Sequence, residues 1–391
     1  MVRLLHTLAL LGCLLFTCSA QTESPAIIVG AERTELYLPL LAGKRIAVAA
    51  NHTSLVKGKH LVDMLHESGF NVALIIAAEH GFRGDADAGE KVGNSTDAKT
   101  GIPIFSLYNG KTTRPDRATA DKFDVLIFDI QDVGTRFYTY YITMTRLMDA
   151  CAEYGKEMIV LDRPNPNGHY VDGPILNMKY KSGVGWLPIP VVHGMTLGEL
   201  AQMINGENWL PEHRKCKITV VPCLNYNHHT FYHLPVPPSP NLPDMQAVYL
   251  YSSLCFFEGT PVSIGRGTDL PFQVYGHPKM HGYGYSFTPR SVAGAKNPPC
   301  LNQKCYGTDL SQLPQDSLLT QGINLSYLID AYNNLQMGDA FFTPFFEKLI
   351  GVSYVREMIQ SGASAQEIHS RWQPDIRRFL HQRHPYLLYA E

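Results

Sequence analysis

Val125-Leu-Ile-Phe-Asp129 is a run of four apolar residues closed by a carboxylate, and Met158-Ile-Val-Leu-Asp162 repeats the construction further on. Between them, Tyr138 to Tyr154 carries a helical apolar pattern that stops at Gly155. Short continuous apolar runs suit strands buried on both faces, and a helix between two of them is the crossover that parallel strands require. Toward the N-terminus, Arg45-Ile-Ala-Val-Ala-Ala-Asn51 and Val72-Ala-Leu-Ile-Ile-Ala-Ala78 read the same way, with His60 to Ser68 as a helix ending at Gly69. Toward the C-terminus, Thr196-Leu-Gly-Glu199 is a capping box that opens a helix stopping near Gly206, and Ile218 to Val221 is a further strand. The alternation predicts an α/β fold with a Rossmann-like parallel sheet.

Beyond Tyr232 the texture changes. Pro235, Pro237, Pro238, Pro240 and Pro243 make a stiff extended connector, so we place the domain junction there. Residues 21–231 are expected to form the sheet domain and residues 232–391 a smaller α/β or α+β C-terminal domain. A second capping box, Ser364-Ala-Gln-Glu367, opens a helix expected to reach Gln373.

Composition narrows the functional classes. With 391 residues, 45% hydrophobic and 17% charged, the chain can bury a large core. A net charge of -2, with no run of five like charges, argues against nucleic acid as a partner. Met1 to Ala20 reads as a secretory signal: Arg3, an apolar run from Leu4 to Phe16, then Cys18-Ser19-Ala20 as a small-residue cleavage site. The expectation is export to the periplasm or the extracellular space without stable membrane insertion. Leu10-Leu11-Gly12-Cys13 offers a lipoprotein alternative, against which stands the apolar Leu14 to Phe16 where a polar linker is usual. Removing residues 1–20 leaves six cysteines. Cys300 and Cys305 are the best local pair for a disulfide; Cys216 and Cys223 bracket one strand and cannot meet; Cys151 and Cys255 read as buried thiols.

In an open parallel sheet, ligands bind beyond the carboxyl ends of the strands. The residues at those positions are Asn51-His52-Thr53, Glu79-His80-Gly81, Asp129-Ile130-Gln131-Asp132 and Asp162-Arg163-Pro164-Asn165. Polar side chains also fix turns and cap helices, so the weight lies in four such groups on one edge. Glu79 follows seven apolar residues, and desolvation there would raise its pKa and keep a proton for a leaving group, which describes a general acid. Glu90, in the same glycine-rich loop, could set a second carboxyl across a scissile bond. Arg83, Arg136, Arg163 and Arg266 adjoin glycines or strand ends, where a guanidinium would suit a substrate carboxylate; an ordinary salt bridge is the plain alternative. The C-terminal part adds Ser239-Pro-Asn-Leu-Pro243, Glu258-Gly-Thr260 and Gly265-Arg-Gly-Thr268-Asp269, the last read as a cleft loop.

Other motifs fail on context. Ser54-Leu-Val-Lys57 and Lys99-Thr-Gly101 imitate penicillin-recognising serine enzymes, but Ser54 follows a parallel strand rather than opening a buried helix. Neither Gly-x-Gly-x-x-Gly after the first strand nor a Walker loop occurs. A metal hydrolase built from His52, His80, Asp129 and His193 lacks a His-Glu-x-x-His core.

Several of these segments together resemble one family, the NamZ-type exo-β-N-acetylmuramidases, bacterial glycoside hydrolases of peptidoglycan fragments. They are Leu41 to Asn51, Glu79-His-Gly-Phe-Arg-Gly84 with Asp87-Ala-Gly-Glu90, Thr100-Gly-Ile-Pro103, and Phe128-Asp-Ile-Gln-Asp-Val-Gly134 with Arg136-Phe-Tyr138. They continue through Leu161-Asp-Arg-Pro-Asn-Pro166, His193-Gly-Met-Thr-Leu-Gly-Glu199, Ser239 to Pro243, and Glu258-Gly-Thr260 with Gly265 to Thr268. Each motif is short; the ordered set is specific. Asn51-His52-Thr53 departs slightly from the family's usual first-strand ending.

The resemblance implies a cleft between the two domains and release of N-acetylmuramic acid from the non-reducing end of muramyl-glucosamine saccharides, with no cofactor. It implies Glu79 as the acid and Glu90 as its partner; alternatively Asp129 or Asp132 orients the substrate's own 2-acetamido group. Candidate substrate contacts are Asn51, His80, Arg83, Gln131, Arg136, Tyr138, Arg163, Asn165, His193, Asn241, Glu258 and Arg266. The rival readings are a metal-dependent cell-wall amidase or esterase and a non-catalytic muropeptide-binding protein. Oligomeric state leaves no mark in the sequence.

Overall fold

Apolar runs without a polar face need cover on both sides, and the computed structural model uses them that way. It describes residues 25–78, 81–83, 93–107 and 113–391. Residues 1–20, read above as a secretory signal, and Glu79, His80 and Glu90 lie outside the described residues. In chain order the first half contains α1 (Thr34–Leu41), β1 (Ile46–Ala50), β2 (Leu55–Val56), β3 (Lys59–His60), α2 (Leu61–Glu67), β4 (Val72–Ala77) and β5 (Ser95–Thr96). It continues with β6 (Pro103–Ser106), α3 (Arg117–Ala120), β7 (Val125–Asp129), α4 (Tyr140–Tyr154), β8 (Glu157–Leu161), α5 (Leu197–Gly206) and β9 (Lys217–Val221). The second half has α6 (Met245–Leu254), β10 (Val274–His277), β11 (Tyr285–Phe287), β12 (Cys305–Asp309), α7 (Gln315–Gln321), α8 (Ser326–Leu335), α9 (Phe345–Ile350), α10 (Tyr354–Gln360) and α11 (Ala365–Arg383).

The main sheet runs β5-β6-β4-β1-β7-β8-β9, parallel throughout except for the short edge strand β5. Setting β5 aside, the chain builds outward from β1 through β4 to β6, then returns to β7 and builds the other way. That is the doubly wound Rossmann order, whose switch point lies between β1 and β7. Every residue of β1 and β7 is buried, and alternate residues serve opposite faces. Ala47, Ala49, Leu126 and Phe128 join one core; Ile46, Val48, Val125 and Ile127 join the other. Side-chain alternation along a strand makes one run feed two cores.

The first core does not end with the sheet domain. It continues through Tyr251, Phe256, Phe346 and Trp372, so the helices of the second half pack over one face of the sheet. The antiparallel sheet β10-β12-β11 sits in this half. Both capping boxes form as read, at Thr196 with Glu199 and at Ser364 with Glu367. Gly155 closes α4 in the left-handed conformation. The last helix runs past the expected Gln373 and through Pro374 to Arg383. The six cysteines among the described residues are free thiols, those of Cys300 and Cys305 adjoining each other and those of Cys151 and Cys216 likewise.

Arg136, expected at a substrate carboxylate, has a different task. It is fully buried, and its guanidinium donates to the carbonyls of Pro174 and Ile189, both at 2.8 Å, and of Leu349 and Ile350 at 2.9 and 2.8 Å. The last two close α9, whose terminal carbonyls have no partner within the helix and face a favourable cation. Replacing Arg136 with Met should therefore leave the carbonyls of Pro174, Leu349 and Ile350 unpaired, Ile189 keeping the Leu176 N–H at 3.1 Å, and cost roughly 3–5 kcal/mol of stability, read as a lower urea midpoint. A loss below about 1 kcal/mol would contradict this assignment.

Candidate active site

The strand-end residues do converge, but largely upon one another. Asn51 accepts from the backbone N–H and hydroxyl of Thr53 at 2.9 and 2.6 Å, and its amide donates to the Tyr140 hydroxyl at 3.0 Å. Thr53 in turn accepts from the Gln131 N–H at 3.1 Å, and Ser54 donates to the Asp129 carbonyl. The Asp129 carboxylate is held by Arg163 through Nε at 2.6 Å and Nη2 at 3.0 Å, both residues buried. The Gln131 amide spans the carbonyls of Asp132 and Pro164. Asn165 donates to Met195 and accepts from Asn167. The space bordered by Gln131, Asp132, Arg163 and Asn165 is about 10 Å³. That scarcely holds a water, so the described side chains of this edge chiefly hold one another in place.

Room opens one layer out. A cavity of about 130 Å³ is walled by Tyr138, Thr139 and Tyr140, which lead into α4, and by Ser239, Asn241, Glu258 and Arg266 from the second half. Aromatic rings are prominent in its lining: Phe137, Tyr251 and Phe272 add to the two tyrosines. The Pro-rich connector is therefore a wall rather than a tether. Pro238 accepts from the Tyr138 hydroxyl at 2.8 Å, and Asn241 is fixed by donating to Gly294 at 2.8 Å. At the far wall Arg266 donates to one Glu258 oxygen through Nε at 2.9 Å and Nη2 at 2.6 Å, with its guanidinium 4.8 Å from the Phe272 ring centre. Gly265 and Gly267 flank it at φ 78° and 80°. A side chain at 267 would lie 2.3 Å from the Arg290 carbonyl, which explains the glycine.

Of the residues singled out from sequence, Tyr138, Asn241, Glu258 and Arg266 line this cavity. Asn51 acts on it only through Tyr140. Arg83 is clamped by Asp97, at 3.0 Å to each oxygen, and by Asp63 at 3.4 Å. His193 is buried with Nδ1 facing the Met195 N–H at 3.2 Å, and burial pushes its pKa down to about 3, so it is neutral. Tyr140, Tyr251 and Phe272 were missed, since nothing in a pattern distinguishes a cavity tyrosine from a core one. No cluster of three His, Cys, Asp or Glu side chains suited to a metal occurs among the described residues.

Asp132 stands apart from the mutually satisfied edge. Oδ1 accepts from the Gly134 N–H at 2.7 Å, whereas Oδ2 is buried without a partner among the described residues. Burial raises its pKa to about 7. Burial holds the hydroxyls of Tyr138 and Tyr141 in the protonated form, and the Asp132 charge adds to this. A buried carboxyl with one uncommitted oxygen can donate or accept a proton near neutral pH.

The fold has known counterparts. The family models described as exo-beta-N-acetylmuramidase NamZ match this chain, the N-terminal one over residues 46–246 and the C-terminal one over residues 249–389. The chain is 38% identical over 379 residues to the peptidoglycan beta-N-acetylmuramidase NamZ of Bacillus subtilis (strain 168), covering 90% of this chain and 89% of that protein. Two DUF1343 family proteins from Bacteroides fragilis NCTC 9343 have similar crystal structures, each covering 94% of this chain and 100% of that one. One has a TM-score of 0.89 at 62% identity, the other 0.78 at 28%. The chain belongs to the NamZ family of exo-β-N-acetylmuramidases.

The raised pKa of Asp132 has a stability consequence. With the folded value above the unfolded one, the fold loses stability as pH climbs from about 4 to about 7. Asp132→Asn removes that ionisation, so the stability of the variant relative to the parent should rise by about 1–3 kcal/mol over the same window. Denaturant melts at several pH values would read this, and a pH-independent difference would refute the buried, unpaired carboxyl.

Proposed function

We propose that this chain is an exo-acting glycosidase that removes N-acetylmuramic acid from the non-reducing end of peptidoglycan-derived muramyl-glucosamine saccharides, in the cavity between its two halves. Family membership supports the reaction. The observation carrying the assignment to this cavity is the Glu258–Arg266 pair set among aromatic rings. A pyranose presents an apolar face to such rings, and muramic acid differs from glucosamine by a lactyl carboxylate. Arg266 meets Glu258 through Nε and Nη2, which leaves Nη1 for that carboxylate. Glu258 then acts as a positioning residue that holds the guanidinium in the plane required.

Glycosidic cleavage needs a proton for the leaving oxygen and a nucleophile or activated water at the anomeric carbon. Glu79 takes the first role on the strength of its sequence context, two residues after the end of β4, which neighbours β1 at the switch point. Glu90 is its candidate partner. Asp132 is the described carboxyl best suited to steer the substrate's acetamido group, because Asp129 is already committed to Arg163. No cofactor enters this scheme. Residues 1–20 support an exported protein, periplasmic or extracellular, where peptidoglycan would be met. No described helix is long and apolar enough to cross a membrane.

Incubation with a muramyl-glucosamine disaccharide should release free N-acetylmuramic acid, identified by mass. Glu79→Gln should fold normally yet lose at least ~100-fold in turnover, the usual scale of general acid catalysis. Turnover within a few-fold of the parent would remove Glu79 from the role.

A further inference from the structure

A second and larger cavity, of about 310 Å³, lies in the C-terminal part and has no place in the reaction described above. It reaches the ~300 Å³ typical of small-molecule sites. The same turn walls both cavities. Arg266 and Phe272 face the reaction cavity, while Gly267 to Leu270, lying between them in sequence, face the second.

The second cavity is lined by Asp269, Tyr285, Phe287, Thr288 and Arg290. The candidate arginines named from sequence each have protein partners: Arg83, Arg163 and Arg266 carboxylates, Arg136 carbonyls. Arg290 is different. Among the described residues its guanidinium has no hydrogen-bond or ion-pair partner, and neither has the Asp269 carboxylate, although opposite charges border one space. Thr288 likewise has a hydroxyl without a partner there. Tyr285 is half-buried and tilted 33° from Phe287 at 6.0 Å between ring centres, an arrangement that leaves ring surface uncovered.

The geometry points to a second saccharide-binding site, one that takes an N-acetylhexosamine unit of the glycan chain on the reducing-end side of the sugar being cleaved. The sugar's apolar face covers Tyr285, Asp269 accepts from hydroxyls, and Arg290 donates to hydroxyl or acetamido oxygens. An acid and a base facing one aromatic wall satisfy a neutral ligand rich in both donors and acceptors. Only the position of this unit along the substrate rests on the muramidase reading; the site itself does not.

The test therefore has two arms, using the full-length protein and Arg290→Ala and Asp269→Ala, both exposed positions outside the reaction cavity. In the first arm, the β-1,4-linked N-acetylglucosamine trimer, which contains no muramic acid, is titrated by NMR. Binding should be detectable and weaken about five- to tenfold in each variant, the loss of one or two hydrogen bonds. In the second arm, kcat/KM is compared for a muramyl-glucosamine disaccharide and a hexasaccharide. The variants should stay within about twofold of the parent on the disaccharide and fall about five- to tenfold on the hexasaccharide, through KM. Trimer binding that is absent from the parent or unchanged in both variants overturns the site. Equal effects on both substrate lengths overturn its placement along the chain. Should no muramyl saccharide be turned over at all, the muramidase reading fails while the trimer arm still decides this one.

Discussion

A buried guanidinium that finds carbonyls instead of a carboxylate sets the relation between the two halves of this protein. Burial lowers the pKa of Arg136 to about 10, which leaves it charged at neutral pH. Its four acceptors come from the loops after β8 and from the end of α9. Residues Leu349 and Ile350 are the last two of that helix, so the cation sits where the helix most needs one. From there the constraint travels outward. Thr343, just ahead of α9, donates its N–H to the Gly259 carbonyl at 2.9 Å, and Phe346 crosses Gly259 so closely that a side chain there would lie 2.5 Å from its Cα. The turn containing Gly259 also contains Glu258, which holds Arg266. A residue of the sheet domain thus governs the far wall of the cavity without touching it.

The parts of the fold legible in the sequence are those where one physical requirement dominates. A strand covered on both faces must be apolar throughout, so β1, β4, β7 and β8 announce themselves, and with them the parallel sheet. A capped helix start needs two particular side chains at fixed spacing, so Thr196 and Ser364 are equally clear. The antiparallel sheet of the second half carries no comparable signal. Tyr306 is exposed, Gly276 and Gly307 face each other across the pair, and β11 has three residues. Such strands are held by their surroundings rather than by their own pattern. Arg136 departs from its expected role for a related reason. Proximity to glycine and strand ends identifies a buried cation, but what it meets depends on loops as distant in sequence as Pro174 and Ile350.

The candidate site shows the same division. The rule that ligands gather beyond the carboxyl ends of parallel strands picks out an edge where polar groups do converge, yet Asn51, Asp129, Gln131 and Arg163 spend their hydrogen-bonding capacity on each other. This is what a doubly wound sheet demands when a second domain is laid over its crevice. Polar groups that would meet water or ligand in an open fold are now buried, and each must be satisfied internally. The roomier cavity lies one side-chain layer outward, against Tyr138 and Tyr140, and the edge network becomes their foundation through the Asn51–Tyr140 bond.

Asp132 is the exception that gives the arrangement chemical potential. The Arg163 guanidinium neutralises Asp129, three residues before it in the chain, but no cation reaches Asp132 among the described residues. Two carboxyls leaving the same strand therefore sit in opposite electrostatic settings, one ion-paired and the other desolvated with a free oxygen. A fold selected only for stability would gain by replacing Asp132 with an amide or an apolar residue, since an unpaired buried carboxyl is among the costlier features a core can carry. Its position at the switch point, beneath the tyrosines of the cavity, is where that cost can be returned as proton transfer or as the orientation of a substrate amide. Stability and chemistry pull against each other at this residue.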